Sequence, residues 1–404
     1  MKISILIPTR DRIHLLKYAV TSALEQNYEN IEIVVSDNNS AEPAGPWLKS
    51  LADSRIKYIW HGETLPVTDN WNRALEQASG DYVVMLGDDD ALLEGYCDRL
   101  RRLVAEYSQP DCIYLGAYLF TYPGVIPGKK QGMLNEARNA IFWRSGRDQY
   151  LLDSQVRLRL VNDAMHFYNS YGFNMQFVAL HRDIIKQLSK NGEFYRSPYP
   201  DYYAMNNVML QAQRVVVSES PLVAIGVSPN SFGWYFQNHR ESAGNEHLSI
   251  DETDFAVPGV NAEDILPGTS MNTHWLMAVA TLKEANKHDP RLSAPSIARY
   301  RRKQIIYFAL LLANGHTDAE ARASFISLLS QRERYYFLAL RALIATGAGS
   351  PWLLGKLHVI SQKRISYLRR IMMRRLLQKN TVKEVEAGKN ILDIGTLIDD
   401  VNRK

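Results

Sequence analysis

Three consecutive carboxylates, Asp88, Asp89 and Asp90 in LGDDDAL, follow the apolar run YVVML. Two like charges ~4 Å apart at an effective dielectric of ~20 repel by about 4 kcal/mol, so the triplet needs either water to screen it or a cation to hold it. A hard divalent ion such as Mg²⁺ or Mn²⁺ takes oxygen ligands of this kind. The plain alternative is a solvated turn capping the helix read over 92–107, since Asp interacts favourably with a helix N-terminus. Two further polar clusters close apolar runs in the same manner, Pro8-Thr9-Arg10-Asp11 and Ser36-Asp37-Asn38-Asn39.

The elements around these clusters explain why they share a place. Apolar, β-branched runs at ISILIP (3–8), IEIVVSD (31–37), RIKYIW (55–60), YVVMLG (82–87) and CIYLGAYLF (112–120) alternate with helical spacing near 12–26, 44–53, 68–79 and 92–107. That alternation is the signature of a βαβ series with a mostly parallel sheet. Ligands bind such sheets beyond the carboxyl ends of the strands, which is where all three clusters fall. Residues 121–145, with Pro, Gly and Lys, read as an irregular excursion. Helix and strand signals return in QYLLDSQVRLRLVNDA, FVAL, DIIKQLS and RVVVSESPLVAIGV, and in FYRSPYPDYYAMNNVML two prolines stop one element before Asp201 opens the next. The Gly-, Asn- and aromatic-rich stretch 226–247 reads as a ligand-handling loop or lid. From about 265 onward helical spacing dominates.

At 404 residues the chain is long enough for two or three domains. Its net charge of +4 is too small to suggest nucleic acid by itself. The charge is uneven, however: Lys356 to Lys383 holds nine Lys or Arg and no Asp or Glu. Leu, Ile and Met alternate there with Arg at helical spacing, as in a basic helix on an anionic membrane surface or in a bundle helix with a solvated cationic face. Low aromatic content in this stretch argues against nucleic acid. Cys97 and Cys112 form no disulfide or zinc pattern, which fits a reducing compartment. MKISILIPTRDR is too short in its apolar part for a signal peptide, and FLALRALIA is interrupted by Arg341. The expected location is the cytoplasm or the cytoplasmic face of a membrane.

The series ISILIPTRDR, ALEQNYENIEIVVSDNNS and NWNRALEQASGDYVVMLGDDD resembles the N-terminal half of the family 2 glycosyltransferases, closely over 1–110 and more loosely over 111–245. The resemblance implies a GT-A fold, a Rossmann-like mixed α/β sheet. It also implies transfer of a sugar from a nucleoside diphosphate sugar, with inversion and with help from Mn²⁺ or Mg²⁺. On this chain Pro8, Thr9 and Asp37 match the positions that hold base and ribose, and an ionised Asp can accept from a uracil N–H or a ribose hydroxyl. As a structural part, Asp37 would start a turn. Arg10 stands where an aromatic residue is common, which alters base stacking. Asn72 and Arg73 match the stretch lining the donor site, although Arg73 also reads as a surface helix charge.

In the family's LDxDD pattern the first Asp falls at Gly87. Asp89 then matches the metal ligand, Asp88 the residue near ribose and diphosphate, and Asp90 an assistant to the metal. The family places its general base about a hundred residues later, and Asp201 in SPYPDYY is the match, with Glu193 the fallback. As a structural part, Asp201 would cap a helix beginning at Tyr202. His239 and Arg240 stand where related enzymes contribute a metal- or phosphate-binding side chain. Trp234, Tyr235 and Phe236 either stack on a sugar or, more plainly, pack.

These readings combine into a GT-A domain over 1–245, with a nucleotide-sugar half (1–110) and an acceptor half (111–245), followed by an all-α domain over 265–404. The expected activity is UDP-sugar-dependent transfer to a glycan or lipid-linked acceptor in surface polysaccharide synthesis. A sugar nucleotidylyltransferase or a dinucleotide oxidoreductase would need a Gly-rich phosphate loop after the first strand, and IPTRDR has none. A catalytically silent protein that kept the fold is the alternative from another class.

Overall fold

The computed structural model describes residues 1–126, 130–137, 140–143, 148–229, 231–238, 240–250, 257–345, 385–387 and 391–393. The chain divides into two compact units: Met1–Arg157 with Gly172–Ile250 and Asn380–Lys404, and Leu158–Tyr171 with Asp251–Lys379.

In the first unit the opening strands are β1 (Ile3–Thr9), β2 (Ile31–Asp37), β3 (Ile56–Trp60) and β4 (Tyr82–Met85). They pair in parallel in the order β4-β1-β2-β3. Every residue of β1, β2 and β4 is buried, as continuous apolar runs covered on both faces require. The intervening helices are α1 (Ile13–Leu24), α2 (Gly45–Ser50) and α3 (Val67–Glu76). Helix α1 turns Leu15, Leu16, Ala19, Val20 and Ala23 inward, the spacing of one helical face.

Register fixes the level of the clusters. Thr9 lies opposite Asp37, and Leu6 opposite Met85, so the triplet two residues beyond β4 stands beside the end of β1. The sheet then turns mixed. Strand β6 (Cys112–Thr121) and β9 (Val178–His181) pair antiparallel, β9 also runs antiparallel to β4, and β10 (Val215–Val227) runs parallel to β6.

Three local expectations are corrected. The helix after the triplet, α4 (Tyr96–Glu106), begins later than 92, because Ala91 and Leu92 form a short strand, β5, against Ala224 and Val223 of β10. The triplet therefore does not cap it. The excursion 121–145 contains a strand, β7 (Gly132–Glu136), paired with the outer half of β6. The expected loop 226–247 carries two helices, α8 (Phe232–Gln237) and α9 (Glu241–His247). Strand β8 (Gln149–Leu151) and helices α5 (Ser154–Met165), α6 (Arg182–Leu188) and α7 (Pro200–Gln211) complete the order up to β10.

The second unit is helical over its described residues, with α10 (Ser270–Ala285), α11 (Ile297–Ala313), α12 (Ala319–Ser327) and α13 (Gln331–Ala345). Leu266, Ile305, Phe308, Phe325, Leu329 and Phe337 form a core there, with Phe308 and Phe325 stacked at 3.8 Å between ring centroids. A short strand, β11 (Val385–Ala387), pairs antiparallel with β7 in the first unit. The basic stretch 356–383 lies outside the described residues.

Candidate active site

The cation that relieves the triplet is in the chain itself. Arg12 stands at the N-cap position of α1, and its Nε and Nη2 grip both oxygens of Asp88, the former at 3.1 Å. Its Nη1 reaches Asp89 Oδ2 at 3.4 Å and Ser228 Oγ at 3.3 Å. Thr9 Oγ1 donates to Asp88 Oδ2 at 2.7 Å, and Ser228 Oγ donates to Asp89 Oδ2 at 2.6 Å. The ends of β1, β4 and β10 are thereby joined through one guanidinium and two hydroxyls. All three carboxylates are buried, so the wet-turn reading fails on exposure as well as on helix position.

Asp90 is spent on shape. Its Oδ2 accepts the Gly87 N–H at 2.6 Å and its Oδ1 the Gly226 N–H at 2.7 Å. A Cβ on Gly87 would come within 2.6 Å of Asp90 Oδ2, so the space a side chain would fill at 87 is taken by this carboxylate. A Cβ on Gly226 would stand 1.9 Å from the Asp89 carbonyl oxygen, a backbone atom that cannot step aside. The departure from LDxDD at Gly87 and the third Asp are thus two parts of one arrangement.

Electrostatics follow from burial and count. Burial pushes the Asp90 carboxyl well above the ordinary range, and the charge of Asp89 adds to this, against the pull of the two N–H groups. Burial also raises Asp88, with Arg12 opposing. Burial weakens the hold of Arg12 on its proton, and the facing Asp88 and Asp89 more than reverse that. Pushed up to about 8, Asp90 is largely protonated at neutral pH, and Asp88 and Asp89 against one guanidinium still leave the cluster short of positive charge. Among the described residues no three His, Cys, Asp or Glu side chains converge as a closed metal cage. Yet among the described residues Asp89 Oδ1 accepts no hydrogen bond, whereas both oxygens of Asp88 and of Asp90 do. One free carboxylate oxygen in an under-neutralised pocket suits a hard cation that draws its remaining ligands from phosphate and water.

The other expected residues are placed as follows. Pro8 is buried at the end of β1, beside Ser36. Asp37 is wholly buried and holds its own chain, accepting from Ser40 N at 3.1 Å, Ala44 N at 3.0 Å and Tyr58 Oη at 2.9 Å. Arg10 donates to the His247 carbonyl at 2.6 Å and to Ser249 Oγ at 3.2 Å, which ties the end of β1 to the segment after α9. Arg73 is exposed and pairs with Glu76 one turn along α3.

Asn72, in contrast, is buried and welded to the stretch before α7. It donates to Glu193 Oε2 at 3.1 Å and the Tyr195 carbonyl at 2.9 Å, and accepts from Tyr195 N at 3.1 Å. Thr68, one turn earlier, donates to the Ser197 carbonyl at 2.6 Å. Helix α3 thereby sets the start of α7, where Asp201 sits. That helix begins at Pro200, so Asp201 lies in its first turn and not at its cap, and its Oδ1 accepts the Tyr202 N–H at 3.0 Å. Burial among Tyr195 and Tyr202 pushes its carboxyl up to about 7. No hydrogen bond or ion pair among the described residues links Asp201 to the triplet. Glu193 is exposed.

His239 lies outside the described residues. Arg240 is exposed, its guanidinium 5.7 Å from the Trp234 ring centroid. Trp234 packs against a core of Leu15, Phe120, Tyr122 and Ala224, as packing would have it. Sequence reading missed Arg12 and Ser228. Arg12 carried a signal, a cation three residues past Thr9 in the first polar cluster. Ser228 carried none.

Residues 4–167 match the family model described as Glycosyl transferase family 2. This segment belongs to that family. The mixed sheet with its helical C-terminal region is of the GT-A type the family implies. Among curated proteins, the GalNAc(5)-diNAcBac-PP-undecaprenol beta-1,3-glucosyltransferase of Campylobacter jejuni is 37% identical over 108 residues, which cover 26% of this chain and 35% of that protein. The UDP-Glc:alpha-D-GlcNAc-diphosphoundecaprenol beta-1,3-glucosyltransferase WfgD of Escherichia coli is 31% identical over 88 residues, 22% of this chain and 35% of that one. The chain thus spans about a third of the length of each of these two relatives. Among solved structures, S. aureus TarS 1-349 in complex with UDP aligns over 86% of this chain and 92% of that chain, at 15% identity and a TM-score of 0.47.

Proposed function

We propose that the chain is an inverting glycosyltransferase that moves a sugar from a nucleoside diphosphate donor, UDP-linked, to a glycan or lipid-linked acceptor in surface polysaccharide synthesis. The observation that carries this reading is the buried, under-neutralised triplet, in which Asp89 Oδ1 is unengaged among the described residues, at the strand ends of a family 2 domain. The two glucosyltransferases above are named for undecaprenol-diphosphate-linked sugars, which supports the lipid-linked class of acceptor.

Residues 1–110 form the donor half in this reading and 111–245 the acceptor half. Pro8, Thr9, Arg10 and Asp37 border the base and ribose, with Asn72 and Arg73 along the donor stretch and Asp88 beside the diphosphate. Asp89 would hold Mn²⁺ or Mg²⁺, with Asp90 stapling the turn next to it and His239, from its place in the sequence, as a further candidate ligand. When bound, such an ion would supply Lewis-acid neutralisation of the departing diphosphate, worth several kcal/mol. Arg12 balances Asp88 and part of Asp89 before the donor arrives. Asp201 takes the proton of the acceptor hydroxyl while its oxygen attacks the anomeric carbon from the face opposite the diphosphate. The new C–O bond forms as the bond to the diphosphate oxygen breaks, and that oxygen keeps the electron pair. The lipid-linked substrates in the two relatives' names support a place at the cytoplasmic face of a membrane for this reading; no helix among the described residues is long and apolar enough to cross one.

The test is release of UDP from UDP-sugars with Mn²⁺. Wild type should hydrolyse a donor slowly, EDTA should stop it, and Asp89→Ala should lower it by about 10²-fold or more. A folded wild type that neither releases UDP nor gains thermal stability from donor and metal would be a silent relative, and the reading would fall.

A further inference from the structure

Arg12 holds two neighbouring carboxylates unequally. On Asp88 it closes a fork, with Nε 3.1 Å from Oδ2 and Nη2 on Oδ1, whereas Asp89 receives only Nη1, 3.4 Å from Oδ2. Ser228 Oγ, 3.3 Å from the same Nη1, donates to that Oδ2 at the shorter 2.6 Å. A two-point fork on a carboxylate is the strong geometry and a single long contact is the weak one, so the arm towards Asp89 is the one that can let go. Arg12 also has the most exposed side chain of the three, 18% against 10% for Asp89 and 0% for Asp88, and is the member of the cluster that an anion from solvent can reach. The nearby Arg10 is already committed to the His247 carbonyl and Ser249.

We propose that Arg12 is an exchangeable counter-ion: its arm on Asp89 keeps a divalent cation out until a diphosphate draws that arm away, so that metal and donor enter together and neither is held well alone. The charges favour this order. Arg12, Asp88 and Asp89 together carry one negative charge. A divalent cation on Asp89 would turn that into one positive charge, beside a guanidinium that repels it across a poorly screened interior. The diphosphate of a sugar nucleotide brings two negative charges, which restores the original sum and offers the loosened Nη1 an oxygen to donate to. The fork on Asp88 stays closed, and Asp88 with Thr9 keeps the ends of β1 and β4 joined while the site fills. A permanent staple would instead have no reason to leave Asp89 half engaged, with Oδ1 accepting nothing among the described residues. This inference rests on the transfer reading above and adds to it the order in which the site is filled.

The experiment is calorimetric titration of the full chain with Mn²⁺, with and without UDP. Wild type should bind Mn²⁺ more tightly by about tenfold or more when UDP is present, and UDP should gain the same factor from Mn²⁺. In Arg12→Gln, Mn²⁺ alone should bind about tenfold more tightly than to wild type, and the gain that UDP gives should shrink by about the same factor. Should that variant fold poorly, Arg12→Lys keeps a charge but has no fork to span both carboxylates, and should bind Mn²⁺ alone about threefold more tightly than wild type. Equal or weaker uptake of Mn²⁺ alone by the folded variants, with the coupling to UDP unchanged, would overturn this inference and leave the transfer reading standing. Wild type that takes up no Mn²⁺ even beside UDP would remove both.

Discussion

Asp201 should cost the protein stability at the pH where it works, and that can be measured. Its carboxyl is raised from 3.8 to about 7 by burial near Tyr195 and Tyr202, with the backbone N–H groups of Tyr202 and of Asp201 itself in partial compensation. A folded state that holds a proton more tightly than the unfolded chain loses relative stability as pH rises. The loss is absent below the unfolded value near 4, grows between about 4 and 7, and is complete above that. Three units at 1.36 kcal/mol each would give about 4 kcal/mol as an upper bound. Because Asp201 is only half-buried, water screens part of this, and we expect ~2 kcal/mol. Asp201→Asn keeps shape and has no charge to desolvate. It should therefore match wild type in urea denaturation near pH 4 and exceed it by ~2 kcal/mol at pH 8. Its transfer activity should be absent throughout. In wild type at saturating donor and Mn²⁺, a base of pKa about 7 makes the rate climb about tenfold between pH 6 and pH 8. A stability gap that does not change with pH, or a flat rate profile, would refute the assignment of Asp201 as a desolvated base.

Two further outcomes concern the triplet. Arg12→Ala leaves three buried carboxylates without their internal counter-charge, and should destabilise by about 3–5 kcal/mol at pH 7.5, by urea titration. The loss should shrink towards pH 5 as the carboxyls of Asp88 and Asp90, already raised by burial, take up protons, and added Mn²⁺ should recover part of it. Gly226→Ala drives a methyl against the Asp89 carbonyl, 1.9 Å away, so β10 must shift at that point. A loss of about 2–3 kcal/mol and weaker Mn²⁺-dependent donor binding by calorimetry are expected, whereas an unperturbed melting curve would contradict the close approach.

Some of this architecture was open to reading along the chain. The alternation of β1, α1, β2, α2, β3, α3 and β4 was legible because buried parallel strands must be continuously apolar and their helices must show one apolar face, both local patterns. The level of Thr9, Asp37 and the triplet at one sheet edge followed, since all three clusters close strands of one parallel series. Asp201 was legible as an acid at a helix start, though not its exact turn. What needed the fold was everything carried by contacts across long sequence separations. Arg12 and Asp88 are 76 residues apart, and Ser228 and Asp89 are 139 apart. The need for Gly at 226 exists only because β10 crosses beneath the triplet. That Asn72 holds the segment leading to Asp201 was not legible, because a buried amide bonds whatever backbone the fold brings to it. The start of α4 moved for the same reason: Ala91 and Leu92 found partners in β10. Periodicity along the chain says which face of an element is buried, while only the closed sheet says which charge meets which.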